Sequence, residues 1–404
     1  MQAHSRTSAA RPDAIRSHNL GVVLADVHRA GARSRSELTR LTGLTRSTIG
    51  ALVAELGALG LVVERRPDRH VRAGRPSHVV ETAPNGPYVV AVSVEIDTVI
   101  VAGVGLGGRI LSRRDEAVPD DERSPEQVAT RCARLAQRAI EGLSRRPRPI
   151  AVGVSVPGVV SRATGKIEIA PNLDWRDVPM PGLIAERLGW SLPILIGNDA
   201  DLGALAEHLR GVARDCSDLI FVNGRIGVGG GVIVDGRPLY GVGGFAGEFG
   251  HMAVDPDGTA CHCGGIGCWE TKIGERRLLE LAGQAEAHGP IAVADTLAAA
   301  DRGDRRALAA VEEVSSWMGR GLGALTNIFN PEMIVVGGTL SAVLRSRPER
   351  IRAALEATAL PGAAAAVSLL PPDLGSDATL LGAAELAFAP LLADPLRTMA
   401  AASA

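Results

Sequence analysis

Residues 247–270 decide the reading of this chain: Gly247-Glu248-Phe249-Gly250-His251, then Cys261-His262-Cys263-Gly264-Gly265-Ile266-Gly267-Cys268-Trp269-Glu270. Three of the 5 cysteines fall here as Cys-x-Cys-x4-Cys in a glycine-rich loop, with His251 ten residues before the first. Three thiolates and an imidazole are a structural zinc set, and a closed tetrahedron leaves no position for a water nucleophile. A disulfide is disfavoured in a chain expected to be cytoplasmic. His262 competes as fourth ligand but sits between Cys261 and Cys263, where it more easily points away. The expectation is one structural Zn2+ on His251, Cys261, Cys263 and Cys268, pinning the loop from Gly247 to Glu270. Cys132 and Cys216 are isolated and read as core or surface thiols.

Upstream, Ile196-Gly197-Asn198-Asp199 ends a strand-like run and opens a helical one. Ligands of open α/β sheets bind at such strand ends. Asp199 has the chemistry of a general base toward a hydroxyl; its alternative role is to cap the helix that follows. Asn198, Asp199, Glu248 and Glu270 around one cavity suit a neutral polyhydroxylated ligand, because carboxylates and amides pair with sugar hydroxyls.

The flanking sequence reads as α/β. Val89–Val94, Val99–Val104 and Arg109–Arg113 are consecutive strand-like runs with Gly107-Gly108 at a turn. Ser124-Pro125-Glu126 opens a helix to about Leu143. Ile150–Val156, Ile194–Gly197, Leu219–Asn223, Gly230–Val234 and Met333–Val336 complete the strands. Helices are expected over Asp199–Leu209, Ile273–His288, Arg305–Asn327 and Leu380–Phe388. This alternation predicts mostly parallel sheets with helices on their faces. The length, 404 residues, suggests two or three domains. No uninterrupted apolar run approaches the 18–20 or so residues of a membrane helix, and the N-terminus lacks a signal-peptide core.

The net charge of −2 hides an asymmetry. Residues 1–80 hold 13 arginines against 6 acidic residues; the remainder holds 30 basic and 39 acidic residues. A basic head on an acidic body is a footprint for a polyanion. Leu20, Val23, Leu24 and Val27 make one apolar helical face, with Asn19 as cap and Gly31 as stop. A second helix runs Arg35–Thr42, capped by Ser34, with Leu38 and Leu41 inward; Gly43 makes the turn. Thr45 caps a third helix whose first turn offers Arg46, Ser47 and Thr48, as in a recognition helix. Leu61–Glu64 and Ser77–Val80 flank a turn carrying Arg65, Arg66, Arg69, Arg72 and Arg75. The order is that of a winged helix-turn-helix, with Arg72 and Arg75 in the wing.

Taken together, the 247–251 and 261–270 runs, Asn198-Asp199-Ala200, Pro171-Asn172-Leu173-x-Trp175 and Gly337-Gly338 resemble the ROK family of repressors, open reading frames and sugar kinases over roughly residues 85 to 390. The resemblance implies a two-lobed, actin-like sugar-kinase fold behind the winged helix-turn-helix, the arrangement of the family's repressors. It places Asp199 at the kinase's catalytic base and Asn198, Glu248, Glu270 and His251 on the sugar, with Asn172 a further carry-over. The expected organisation is an arm at 1–14, the DNA-binding domain at 15–82, lobes at 85–200 and 201–370, and a C-terminal helix at 371–404 returning to the first lobe.

The phosphate side departs from the kinase pattern. Where family kinases carry Asp-x-Gly-Gly-Thr, this chain reads Ser93-Val94-Glu95-Ile96-Asp97. Side chains replace the glycines that let backbone approach phosphate, and two carboxylates face it. Gly-Thr-Gly-x-Gly-Gly-Gly becomes Arg225-Ile226-Gly227-Val228-Gly229-Gly230-Gly231, in which Arg225 reads as a replacement cation. The expectation is a sugar-responsive regulator, with no enzymatic activity, that binds operator DNA as a homodimer or homotetramer in the cytoplasm and away from membranes. The rivals are an ATP-dependent sugar kinase carrying a DNA-binding head and a DNA binder without effector.

Overall fold

A computed structural model describes residues 12–65, 78–143 and 148–403. The N-terminal head contains α1 (Pro12–Ala30), β1 (Arg33–Ser34), α2 (Arg35–Thr42), α3 (Arg46–Ala58), β2 (Val62–Arg65) and β3 (Val79–Thr82). Ser34 and Glu37 form a reciprocal capping box on α2, and Gly43 closes that helix in the left-handed region. Thr45 caps α3 by accepting from the Thr48 amide. β1, β3 and β2 form a small antiparallel sheet. Two readings are corrected. α1 begins at Pro12, so Asn19 lies inside the helix and caps nothing. Leu41 is 56 % exposed, because Leu38 alone of that pair faces α1 and α3 from the short α2. Arg72, Arg75 and the turn that carries them lie outside the described residues.

The first large sheet contains β4 (Tyr88–Val94), β5 (Thr98–Gly105) and β6 (Arg109–Ala117), then, after α4 (Pro125–Glu141), β7 (Val152–Val156). The antiparallel β8 (Val159–Val160), β9 (Ile167–Ala170) and β10 (Trp175–Val178) form a side sheet that leads to α5 (Met180–Leu188). β11 (Ile194–Asn198) completes the first sheet in the order β11-β7-β4-β5-β6 and runs directly into α6 (Asp199–Arg210).

The second sheet, in the order β14-β13-β12-β15-β16, comprises β12 (Leu219–Gly224), β13 (Val228–Val234), β14 (Arg237–Pro238), β15 (Met333–Gly338) and β16 (Ser368–Leu370). Between β14 and β15 lie α7 (Glu270–Ile273), α8 (Glu275–Leu281), α9 (Gly289–Asp301) and the long α10 (Arg305–Phe329). α11 (Thr339–Ser346), α12 (Pro348–Glu356) and α13 (Pro361–Ala366) follow β15; α14 (Ala378–Ala393) and α15 (Pro395–Ser403) end the chain. In each large sheet two pairings are parallel and two antiparallel, so the sheets are mixed rather than mostly parallel. The single helix expected over Ile273–His288 is broken where Gly274 takes an extended conformation, and α9 was not anticipated.

One apolar cluster joins the head to the first sheet. Leu20, Val23, Leu24 and Val27 of α1 share it with Val89 and Ala91 of β4 and Leu380, Phe388 and Leu391 of α14. Gly21 permits the close approach: a Cβ there would lie 2.4 Å from the Leu392 carbonyl oxygen. The segment Gly375–Ala393 is long and apolar enough to span a membrane by composition, but most of it is buried inside the protein, α14 packing on α6, β4 and β7. Its uniform apolarity is that of a core helix covered on all sides.

Candidate functional site

A cleft between the two large sheets is lined by Asn172, Asn198, Asp199, Glu248, His251 and Glu270, all six of the candidate small-ligand residues, within an empty volume of about 840 Å3. Three come from separate segments of the first lobe and three from the 247–270 loop. Asn172 sits on a single 3-10 turn after β9. Asn198 ends β11; its Oδ1 accepts from the Ala200 and Asp201 amides, and its Nδ2 donates to the Gly158 carbonyl at 2.9 Å. The capping role considered for Asp199 therefore belongs to Asn198. Asp199 is the first residue of α6, with Asn223 Nδ2 3.5 Å from its Oδ2.

The loop 247–270 supplies the remaining groups. Nδ1 of His251 lies 3.7 Å from Cys261 Sγ, and Cys263 and Cys268 Sγ are also 3.7 Å apart. A tetrahedral ion with metal–sulfur bonds of about 2.3 Å has edges near 3.8 Å, which these spacings match. The four donor atoms all lie within 4.8 Å of one another, forming a cluster able to hold a metal ion. His262 is not among them and lies near Arg276. The other ring nitrogen of His251 faces Glu248 at 3.9 Å. Cys261 Sγ lies 2.9 Å from Glu270 Oε1, while Glu270 Oε2 accepts from the Val228 amide. The metal cluster and the cleft carboxylates thus form one continuous assembly.

Trp269 was missed in the sequence, although it stands between Cys268 and Glu270. Its side chain is fully buried, donates Nε1–H to the Trp317 carbonyl at 2.9 Å and packs on Gly321, where a Cβ would come within 2.1 Å of the ring. It ties the end of the loop to α10, next to Glu270. Its position directly before a candidate carboxylate was the available signal.

Crowding of carboxyl groups is the dominant electrostatic feature. Burial, with Asp199 and Glu270 nearby, pushes Glu248 up to about 7. Burial raises Asp199 to about 6, against the Ala200 amide, which favours its charged form. Burial, then Asp199 and Glu248, lifts Asp201 to about 8. Such groups accept or donate near neutral pH, which suits hydroxyl ligands better than anions.

At the other end of the cleft Arg225, on the turn between β12 and β13, reaches across to the β4–β5 turn. It forms an ion pair with Glu95 and lies 3.3 Å from Asp97 Oδ1. The reading of Arg225 as a cation left for phosphate is corrected: two carboxylates already occupy it. In the head, Arg46 and Ser47 are exposed on the first turn of α3, but the Ser47 and Thr48 hydroxyls lie 2.9 and 2.8 Å from Thr45 Oγ1, within the cap. Arg16, Arg33, Arg35 and Arg65 pair with Glu55, Asp26, Glu64 and Glu81, so these four arginines among the described residues are tied down within the head.

The model of the ROK family matches residues 91–389. This chain belongs to the ROK family. It is 31 % identical over 321 residues to a putative xylose repressor of Caldicellulosiruptor sp. (strain Rt8B.4), covering 76 % of this chain and 79 % of that protein. Among solved structures, a ROK family transcriptional regulator described as a homolog of the E. coli MLC protein superposes with a TM-score of 0.77 at 25 % identity, over 97 % of this chain and 100 % of its own. A ROK family glucokinase from Streptomyces griseus, in complex with glucose and AMPPNP, gives 0.64 at 31 % identity, covering 74 % of this chain and 99 % of its own. The regulator therefore matches nearly the whole ROK chain, and the glucokinase about three quarters of it. The fold is a winged helix-turn-helix followed by the two-lobed, actin-like ROK architecture.

Proposed function

We propose that this ROK protein is a sugar-responsive DNA-binding transcriptional regulator, acting as a repressor, whose cleft binds a sugar without phosphorylating it. One observation carries the reading: the sugar end of the cleft keeps its carboxylate and amide set, while Arg225, Glu95 and Asp97 close the phosphate end on themselves. Asn172, Asn198, Asp199, Glu248, His251 and Glu270 hold the hydroxyls. His251, Cys261, Cys263 and Cys268 hold a structural zinc ion, whose chemistry is to pin the loop; His251 keeps its second nitrogen toward the sugar. The likeness to a putative xylose repressor makes D-xylose the first sugar to try.

The head, residues 15–82, binds double-stranded operator DNA. Arg46, Ser47 and Thr48 of α3 enter the major groove, and Arg72 and Arg75 contact phosphate or the minor groove. Two heads on a homodimer, or pairs within a homotetramer, read a pseudo-palindrome from the cytoplasm. The C-terminal region 371–404 completes the first lobe, 85–200, beside the second, 201–370.

Calorimetric titration with D-xylose, D-glucose and N-acetyl-D-glucosamine, paired with an ATP-turnover assay on the same sugars, tests the reading. Binding of one sugar without ATP consumption is expected. Turnover at an ordinary kinase rate would favour the rival, a sugar kinase with a DNA-binding head.

A further inference from the structure

Helix α6 begins in the sugar cleft and ends against the DNA-binding head. Its first residue is Asp199, capped by Asn198. Its last is Arg210, eleven residues on, a span of about 17 Å along a helix. Arg210 Nη1 donates to the His28 carbonyl at 3.2 Å, near the C-terminal end of α1, and to the Gly107 carbonyl at 2.9 Å. Its Nε donates to Glu385 Oε1 at 2.5 Å. One guanidinium therefore grips the head, the β5–β6 turn and α14 together. The His28 carbonyl is among the last four of α1, which have no partner within the helix.

The imidazole of His28 completes the junction. It is fully buried, accepts from the Gly107 amide through Nδ1 at 3.0 Å and turns Nε2 to Glu385, 3.2 Å from each carboxylate oxygen. Its ring meets Phe388 edge-on. These groups lie far from the cleft and have no part in holding sugar.

Along its length α6 cannot slide independently of its neighbours. A Cβ on Gly382 of α14 would fall 2.0 Å from the Leu202 carbonyl oxygen, and one on Gly231 of β13 would fall 2.5 Å from that of Ala200. Glu207, fully buried, accepts from the Val212, Asp373 and Leu374 amides. The helix is thus locked to the second sheet and to α14 near the cleft, and to α14 again through Arg210 and Glu385 near the head.

We propose that α6 is the element that carries the effector signal, and that Arg210 is the positioning residue through which it sets the seat of α1, with His28 and Glu385 as its partners. The proposal rests on the sugar-regulator reading and adds its route. Displacement of the Asn198–Asp199 end when sugar binds moves Arg210 with it, because a packed helix transmits shifts as a body. Sugar then alters DNA affinity through the grip on α1, and DNA alters sugar affinity by the same factor.

The test uses the full chain and a labelled duplex from upstream of its own gene. DNA affinity is measured with and without D-xylose, D-glucose or N-acetyl-D-glucosamine, and sugar affinity is measured by calorimetry. The wild type should show a ratio of about fivefold or more with one sugar. The paired variant Arg210→Gln with Glu385→Gln leaves no buried charge orphaned. In it the ratio should fall below about twofold while sugar affinity stays within about threefold, a pattern a merely structural role would not produce. A variant that keeps the wild-type ratio overturns the relay. Arg210→Lys, which keeps a charge for Glu385 but loses the fork to the two carbonyls, is the second readout should the pair not fold. A ratio cut at least about threefold supports the route, and an unchanged ratio overturns it. A wild type that binds sugar with no effect on DNA, or binds none of the three sugars, fails the functional reading itself and takes the relay with it.

Discussion

The two ends of one cleft have different chemistry. At the sugar end, five carboxylates and amides from separate elements, with one imidazole, line a shared volume, and a cysteine-rich loop holds three of those six groups. At the phosphate end, a kinase would need open backbone and free cations. Here Glu95 and Asp97 take up Arg225, and Ser93 bonds to Thr379 of α14 instead. On the proposed reading, recognition and transfer are separable in this fold: a few fixed side chains would suffice for hydroxyl recognition, whereas phosphoryl transfer needs glycine at the points of closest approach.

The largest expected effect comes from the loop. Cys263 is exposed, so Cys263→Ser opens no core cavity, yet it removes one of four donors. Loss of bound zinc, read by elemental analysis, should accompany a fall in sugar affinity of about 100-fold, close to 2.7 kcal/mol. Unchanged sugar affinity in the metal-free variant would break the link between the loop and Glu270.

Next in size, Asp199→Ala and Glu248→Ala should each weaken sugar binding by about 1.5–2 kcal/mol, the lower part of the range for a charge-assisted hydrogen bond, with zinc retained. Calorimetry distinguishes this from a loss confined to ATP turnover, which would restore a catalytic role to Asp199.

A smaller effect concerns pH at the junction of head and body. Burial lowers the pKa of His28 from 6.5; Glu385 of α14 opposes the shift, and Arg210 of α6 and Arg29 of α1 add to it. A base depressed on folding binds more protons when unfolded, so stability rises with pH across its window. Stability should therefore be complete above pH 6.5 and fall as pH drops below it, by up to about 1.4 kcal/mol per unit. Denaturation from pH 7.5 to 5.5 reads the slope, and His28→Asn should flatten it. Glu385 is held at about 2: burial would raise it, but His28 and Arg210 prevail, so its own contribution is lost only in stronger acid.

The smallest effect is expected at the phosphate end. Arg225 and its two partners are each 20–37 % exposed, so Arg225→Ala should change stability by less than about 1 kcal/mol. ATP turnover should remain absent, because Glu95, Ile96 and Asp97 still fill the place of the glycines and threonine. Appearance of kinase activity in this variant would show that the ion pair alone silences the cleft.

Much of this was legible in the sequence because it is local. Ser34, Thr45 and Ser124 cap the helices they precede, and the Cys-x-Cys-x4-Cys spacing closes on His251. What escaped depends on long-range pairing. Nothing beside Arg225 in the sequence announces Glu95, 130 positions away, and His28 meets Glu385 across 357 positions. The charge count of the head could not say which arginines are tied down for the same reason, since Arg35 and Glu64 find each other only after β2 forms. Asn19 has the right chemistry for a cap, but the helix continues seven residues before it to Pro12.

The most direct test is fluorescence anisotropy of labelled duplex from upstream of the gene, with excess nonspecific competitor, scanned against a panel of sugars. Tight binding that one sugar shifts by about fivefold or more, with no ATP consumed, is the predicted result. Binding indifferent to every sugar, together with ATP turnover on one of them, would contradict the account.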